Sequence, residues 1–467
     1  MRHSRREFIK QLGWGTAALA TTRYWGCRGK SPGPSKPNII VIFADDLGYG
    51  DLGVFGNPTI HTPQLDRMAS EGQKWTSFYS ACSVCTPSRA ALLTGRLPIR
   101  SGMCSDINRV LFPNSTGGLP DSEITLAEAL KTMGYVTTCV GKWHLGHLPP
   151  YLPTRHGFDS YFGIPYSNDM DSRGIKGAFA DPKSEYWNVP LMRDEDIIER
   201  PARQETLTRR YTEEVLKFIN SQKDKPFFLY LAHTFPHVPL FRSEEFSGRS
   251  LRGLFGDVIE EIDWSTGRIL DTLRDLGLDR RTLVVFTSDN GPWLSYRQQG
   301  GSAGGLRGGK GSTFEGGMRE PTLFWWPGQV SPGLEMSLGS TLDIFPTACC
   351  LAGVDVPSDR TMDGFDLGPA LFGENPSPRD IMFFYRGTRI FAVRKGPYKA
   401  HFITRSGYGP DKEVSHDPPL VYHLNHDPAE KYNIAEQHTE IIEDIRLEVE
   451  RHRQSLIPVK NQLDERI

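Results

Sequence analysis

Four short apolar runs in this chain each break off into residues able to do chemistry. Asn38–Ala44 reads NIIVIFA and stops at Asp45-Asp46; 135–141 reads YVTTCVG and stops at Lys142-Trp143-His144. The run 226–232 reads PFFLYLA and leads to His233 and His237, and Thr282–Ser288 reads TLVVFTS and stops at Asp289-Asn290-Gly291. Apolar runs without polar alternation suit strands covered on both faces, as in parallel sheets packed between helices. Helical patterns separate them, at 122–133, 206–220 and 255–276. The fold class is therefore α/β, with a large, mainly parallel sheet flanked by helices. Ligands of such sheets bind beyond the carboxyl ends of the strands, so the four polar clusters are expected to converge.

From about Pro376 the texture changes. Shorter mixed runs, IMFFYRG, RIFAVRKGPYKAHFI and LVYHLNHDPAE, are separated by turn residues and followed by a polar helical stretch over 436–454. These predict a small C-terminal antiparallel sheet with a helix. The expected division of the 467 residues is a leader and linker over 1–36, a catalytic domain over 37–375 and a small α+β subdomain over 376–467.

The first residues read as an address. Ser4-Arg5-Arg6-Glu7-Phe8-Ile9-Lys10 and the weakly apolar stretch 12–22 resemble a twin-arginine signal, with a Sec signal as the alternative. The stretch is well short of the roughly 20 residues a membrane span needs. Export through the twin-arginine machinery to a bacterial periplasm or cell surface is the expectation. Gly26-Cys27 is where a lipid anchor would attach, although Tyr24 and Trp25 fit the lipoprotein pattern poorly. A formal net charge of -2 gives no reason to expect a nucleic-acid partner. The seven cysteines are too few and too irregularly spaced for a disulfide framework.

The most informative stretch is Cys85-Thr86-Pro87-Ser88-Arg89-Ala90-Ala91-Leu92-Leu93-Thr94-Gly95. Proline near a first turn and the Ala-Ala-Leu-Leu that follows describe a loop entering a helix, with Cys85 at the positive end of its dipole. That end suits a thiolate or an oxyanionic substrate. Two plainer readings stand beside it: a buried small hydrophobe, and a Cys82/Cys85 redox pair.

C-T-P-S-R followed by T-G resembles the maturation signature of the formylglycine-dependent sulfatases, within the alkaline phosphatase superfamily. The resemblance runs from IIVIFADDLGYGD at Ile39 to LVYHLNHDPAE at Leu420, and in texture is closest to the arylsulfatase A and N-acetylgalactosamine-6-sulfatase branch. It implies that a formylglycine-generating enzyme converts Cys85 to an aldehyde, braced by Arg89. It also implies a divalent ion held by Asp45, Asp46, Asp289 and Asn290 together with residue 85. That ion is calcium in the family; oxygen ligands alone would equally suit Mg²⁺. Taken singly, Asp-Asp is also a helix cap and Asp-Asn-Gly a turn.

Lys142 and His144 in GKWHLG, His237 in AHTFPHVP and Lys310 in GGKGSTFEGGMREP match positions that contact the aldehyde or the sulfate. His233 is assigned a structural role. The implied reaction is attack on sulfur by hydrated formylglycine, with His237 and Lys310 at the leaving oxygen and His144 assisting release of sulfate. Lys142 and Arg89 would hold the aldehyde. The substrate implied is an environmental sulfated sugar or polysaccharide, or an aryl sulfate, selected by the loops 149–203, 293–305 and 405–419. Two alternatives are a phosphoester or phosphonate monoester hydrolase using the same site, and a non-catalytic exported carbohydrate-binding protein.

Overall fold

A computed structural model describes residues 36–467; the leader motif and Cys27 lie outside the described residues. The sheet expected from the four runs is present. β1 (Asn38–Ala44), β2 (Val136–Gly141), β3 (Phe227–Ala232) and β4 (Thr282–Ser288) lie side by side in the order β4-β1-β3-β2, all parallel, within a ten-stranded sheet. Ser160–Gly163 adds a fifth parallel strand beyond β2. Thr322–Trp325 joins β4 antiparallel, and the flanks are short strands on either side.

Alternation along β1 feeds two cores. Ile39, Val41 and Phe43 face a layer containing α1 (Cys85–Thr94), Leu126–Lys131 and Ile344–Ala352, while Ile40, Ile42 and Ala44 face α2 (Leu207–Ser221), α3 (Leu254–Asp275) and the helix Pro63–Glu71. Every residue of β1 is buried, which is why the run carries no polar alternation. The helix expected over 122–133 is shorter, Leu126–Lys131. Thr125 caps it in a reciprocal box with Glu128, so the chain before it is not helical.

Strand register places the chemistry. Ala44 pairs with Ser288, and Phe43 with Ala232, which in turn pairs with Gly141. The carboxyl ends of all four strands are therefore level, and the residues after them emerge at one edge. Gly141 has φ 110°, and a Cβ there would lie 1.8 Å from the carbonyl oxygen of Ala232, so this close exit of β2 requires glycine.

The C-terminal sheet is antiparallel, in the order β5 (Ile381–Arg386), β6 (Arg389–Lys395), β7 (Tyr398–Thr404) and β8 (Val414–His423). The run RIFAVRKGPYKAHFI is two strands folded at Gly396, φ 55°. α4 (Thr439–Gln454) packs on this sheet through Ile442, Ile445 and Val449, and the same cluster takes in Ala91, Leu97 and Met318 of the larger body.

Candidate active site

The site is built from strand ends and one helix. After β1, the Asp45 N–H donates to Phe235 O (3.2 Å) and Asp46 takes φ 66°. After β4, the Asp289 N–H donates to Ala44 O (3.1 Å) and the Asp46 N–H to Asp289 Oδ1 (3.1 Å), so the two loops are laced together. After β2, the Lys142 N–H donates to Ala232 O at 2.7 Å. The Lys310 segment is drawn in by Gly311, whose N–H donates to Ser83 O at 2.8 Å, two residues before Cys85.

α1 begins at Cys85 and ends on Gly95, φ 66°, whose N–H closes onto Ala91 O. Cys85 Sγ lies 3.4 Å from Asp45 Oδ1. One turn on, Arg89 Nη2 reaches Asp289 Oδ2 (2.8 Å) and Asp45 Oδ1 (3.4 Å), and Nη1 donates to Lys142 O (3.1 Å). Lys142 Nζ lies 2.5 Å from Asp45 Oδ2 and 3.1 Å from Ser167 Oγ. Lys310 Nζ lies 2.8 Å from Asp46 and 4.3 Å from the centre of the Trp293 ring. These groups are 5% exposed or less, so they interact in a medium far less screened than water.

Electrostatics sorts their charge states. Burial opposes the Asp45 charge, but Lys142, His237 and Arg89 outweigh it and hold the carboxyl well below its usual range. Burial, with Asp45 and Asp289 nearby, pushes Asp46 up to about 7 despite Lys310. Lys310 stays charged, because Asp46 and its other anionic neighbours overcome the burial penalty. Burial followed by Asp289 and Asp45 raises the Cys85 thiol well above its usual value, which disfavours the thiolate expected at a helix start. Cys82 and Cys85 are both free.

The histidines separate cleanly. Burial and Lys142 hold His144 neutral; its Nε2 sits 2.8 Å from Leu111 O, which makes Nε2 the donor and leaves Nδ1 buried without a partner. Burial and Lys310 hold His237 neutral; its Nδ1 donates to Val238 O (2.5 Å), and Nε2 faces Asp46 Oδ2 at 3.6 Å. His233 is buried with both ring nitrogens unpaired, pulled down to about 3 by burial alone and by no site charge. It stands apart from the cluster.

Asp45, Asp46, Cys85 and His237 offer ligand atoms within 4.8 Å of one another. Asn290 adds a further indication: its Nδ2 donates to Asp46 Oδ1 (2.7 Å) while Oδ1, a hard ligand atom, is buried with no partner. Carboxylate and amide oxygens grouped in this way fit a hard divalent cation. His237 is a member of this cluster that sequence reading had placed only on the leaving-group side. Sequence reasoning also missed Ser167 beside Lys142 and Asp169, whose Oδ1 is buried and unpaired in a position where Lys310 and Lys142 partly offset the upward push of burial. Both fall within 149–203, whose Tyr, Asp and Arg content was the only available signal.

A parallel sheet with carboxylates, two lysines, an arginine and a helix-borne residue 85 at its carboxyl edge defines a hydrolase of anionic esters with an alkaline phosphatase-like fold. Comparison with known proteins narrows the class. The Sulfatase family model matches residues 37–354, and the model for the C-terminal region of aryl-sulfatase matches 377–466. Human arylsulfatase A is 45% identical over 427 residues, covering 85% of this chain and 83% of that protein. The N-acetylgalactosamine-6-sulfatase of Canis lupus familiaris is 43% identical over 478 residues, covering 93% and 89%. Among solved structures, the PsFucS1 sulfatase from Pseudoalteromonas sp. superposes with a TM-score of 0.81 at 29% identity, covering 93% and 92%. The chain belongs to the sulfatase family, and it is a sulfuric ester hydrolase.

Proposed function

We propose that the protein releases inorganic sulfate from sulfated carbohydrates, or from aryl sulfates, with residue 85 as the nucleophile after conversion of Cys85 to formylglycine. The observation that carries this reading is the placement of Cys85 at the start of α1, 3.4 Å from Asp45, with Arg89 one turn on spanning Asp45, Asp289 and the Lys142 carbonyl. A cysteine held as a neutral thiol is a poor nucleophile here, which favours its chemical conversion. Converted, position 85 would supply a hydrated-aldehyde oxygen for attack and a second hydroxyl whose loss of a proton expels sulfate.

Asp45, Asp46, Asp289 and Asn290 would hold a calcium ion beside residue 85, with magnesium as the other hard candidate; His237 Nε2 borders the same space. Such an ion would supply charge stabilisation for sulfuryl oxygens. The chain's own groups do the rest. Arg89 and Lys142 fix residue 85 and keep Asp45 ionised. Lys310, a buried ammonium, stabilises negative charge on the sulfuryl group and leaving oxygen. His237 rests neutral with the Nε2 lone pair toward the site; the negative charge of an incoming sulfate ester raises its proton affinity, so that it carries a proton to the departing oxygen. His144, neutral with Nδ1 free, accepts the proton whose removal releases sulfate.

The three cations also balance Asp45, Asp46 and Asp289. A divalent ion taking over that task would free Lys142 and Lys310 for the substrate. The division into a catalytic domain over 37–375 and a subdomain over 376–467, export by the twin-arginine route, and a lipid anchor at Cys27 belong to the same proposal. Among the described residues no helix is long and apolar enough to cross a membrane. The sulfated-sugar class is supported by the relatives' names, and a phosphonate or phosphate ester hydrolase is the second reading to test. The test is the mass of the tryptic peptide 75–89 from native-host protein, together with sulfate release from matched sulfate and phosphate aryl esters. An aldehyde at 85 and preferential sulfate release are expected. An unmodified, inactive protein would leave a carbohydrate-binding role.

A further inference from the structure

A cavity of ≈ 390 Å³ opens beside the site, lined by Arg109, Arg386, Arg389 and Arg405. It adjoins a second cavity of ≈ 460 Å³ that contains Lys310 and Trp293, and Tyr408 and Arg405 line both. Four guanidinium groups in one pocket normally come with matching carboxylates. Here only two, Asp106 and Glu413, line the pocket, and both are engaged. Glu413 lies 2.6 Å from Arg389 and only 3.7 Å from Arg405, while Asp106 accepts from the N–H (2.9 Å) and hydroxyl (2.5 Å) of Thr388.

Among the described residues Arg109 and Arg386 form no ion pair. Arg109 donates to Gly311 O (3.1 Å), and Arg386 to Gly311 O (3.1 Å), Ser406 O (2.8 Å) and Gly407 O (3.2 Å). The Nε of Arg405 is buried with no partner. Burial, Arg109 and Arg405 together draw Arg386 down to about 10, because the crowded like charges outweigh the attraction of the shared Glu413. Guanidinium forks of this kind pair two N–H groups with two oxygens of a planar carboxylate or a tetrahedral sulfate.

The pocket is also joined to the reaction centre. Gly311, whose carbonyl both arginines share, directly follows Lys310, and its φ of 82° brings that carbonyl's turn under Arg109. Tyr408 packs on Trp293 at 4.8 Å between ring centres, Arg109 lies over Tyr408 at 4.9 Å, and Lys310 lies over Trp293.

We propose that the pocket of Arg109, Arg386 and Arg405 is a second anion subsite, which binds a further sulfate or carboxylate of the same glycan while its scissile sulfate lies at residue 85. The natural substrate is then a polyanionic saccharide rather than a singly charged one. This inference rests on the sulfatase reading for its substrate but not for its binding test.

The test uses matched disaccharides: one with a single sulfate ester, one with a second sulfate, and one with a carboxylate in place of that second sulfate. Wild-type protein is expected to show kcat/KM for the dianionic substrates higher by roughly tenfold or more, a gain carried mainly in KM. Arg386→Gln and Arg405→Gln are expected to abolish most of that ratio. Arg405 is the stricter probe, because it does not hold the Gly311 carbonyl. The relative gain from sulfate and from carboxylate identifies the group recognised. Binding of the same disaccharides by calorimetry gives the ratio independently of turnover, so a protein that hydrolyses none of them but keeps the arginine-dependent preference sinks the catalytic reading alone. A wild-type ratio near one, or variants that weaken all the substrates equally, overturns the subsite.

Discussion

Lys310 Nζ lies 2.8 Å from Asp46 while its other side rests on the face of Trp293, 4.3 Å from the ring centre. The pairing keeps the ammonium charged inside a buried site, and the aromatic face adds attraction without a competing hydrogen bond. A preorganised cation of this kind stabilises charge that develops as the S–O bond breaks. Lys310→Ala is expected to lower kcat by roughly 10²- to 10³-fold, as loss of one such donor does elsewhere. Steady-state kinetics on an aryl sulfate decides it, and unchanged values would remove Lys310 from the chemistry.

Asn290 makes the metal reading testable without turnover. Its Oδ1 is buried and unpaired, and beside it Asp46 is raised to about 7 by burial and by Asp45 and Asp289. A bound cation would satisfy the first and reverse the second. Thermal unfolding after chelation and readdition of calcium or magnesium is expected to show stabilisation of about 2.7 kcal/mol at one hundred times the dissociation constant. Asn290→Ala should need more metal for the same shift. No response of wild-type protein to either ion would count against the site.

His233 and His237 sit four residues apart on the same loop, yet only His237 feels the site: Lys310, Asp45 and Lys142 all act on it, whereas burial alone acts on His233. His237→Ala is therefore expected to lower kcat by roughly 10²-fold or more, as loss of a positioned proton carrier does. His233→Phe should keep kcat within about threefold and leave stability near wild type, since it removes two unpaired polar atoms from the core. Equal losses in both variants would undo the distinction.

A pH effect separable from the site comes from Asp263 on α3. It accepts from the N–H groups of Gln64 (3.0 Å) and Leu65 (2.8 Å), capping the helix Pro63–Glu71, and burial pushes it up to about 7 against those bonds. A folded pKa above the unfolded value of 3.8 means the unfolded chain releases its proton first, so this group's contribution falls as pH rises from about 4 through 7. Asp263→Asn lacks that slope. Urea melts at the two ends of this window should show the variant gaining on wild type at the higher pH; a constant difference would mean the carboxyl does not titrate there.

Much of this was legible in the sequence because burial on both faces leaves a direct trace: Ile39–Ala44 and Leu283–Phe286 run apolar without alternation, as a strand covered on both faces does. The polar residues that follow were legible for the complementary reason, since Asp45-Asp46 and Asp289-Asn290 interrupt such runs abruptly. What was not legible depends on loops meeting across long separations. Ser167 reaches Lys142, and Tyr408 reaches Trp293, through loop conformations that no periodicity encodes. The shortened helix at Leu126–Lys131 was misjudged in length because the Thr125–Glu128 capping box lies inside the apolar pattern rather than ahead of it.

Glu315 lies five residues beyond Lys310, and it ties that segment to the C-terminal sheet. Its carboxylate, fully buried, accepts from Lys399 Nζ of β7 (2.9 Å) and from Tyr79 (2.5 Å), which in turn accepts from Arg394 of β6. Its own N–H donates to Glu430 (2.7 Å), which Lys399 (3.1 Å) and His401 (2.6 Å) also contact. Burial resists the charge, yet Lys399, Arg319 and Arg394 hold Glu315 down at about 2, so Glu315 stays ionised well below neutral pH. Removing one partner strands the others: Lys399→Met is expected to cost about 3–5 kcal/mol, since uncompensated buried charge is the dominant loss. Replacing both ends, Lys399→Met with Glu315→Gln, should cost less than the two single changes added, because neither charge is then left alone. Urea unfolding of the four proteins measures the coupling. If the costs simply add, Glu315 and Lys399 are independent, and the C-terminal sheet does not anchor the Lys310 segment through them.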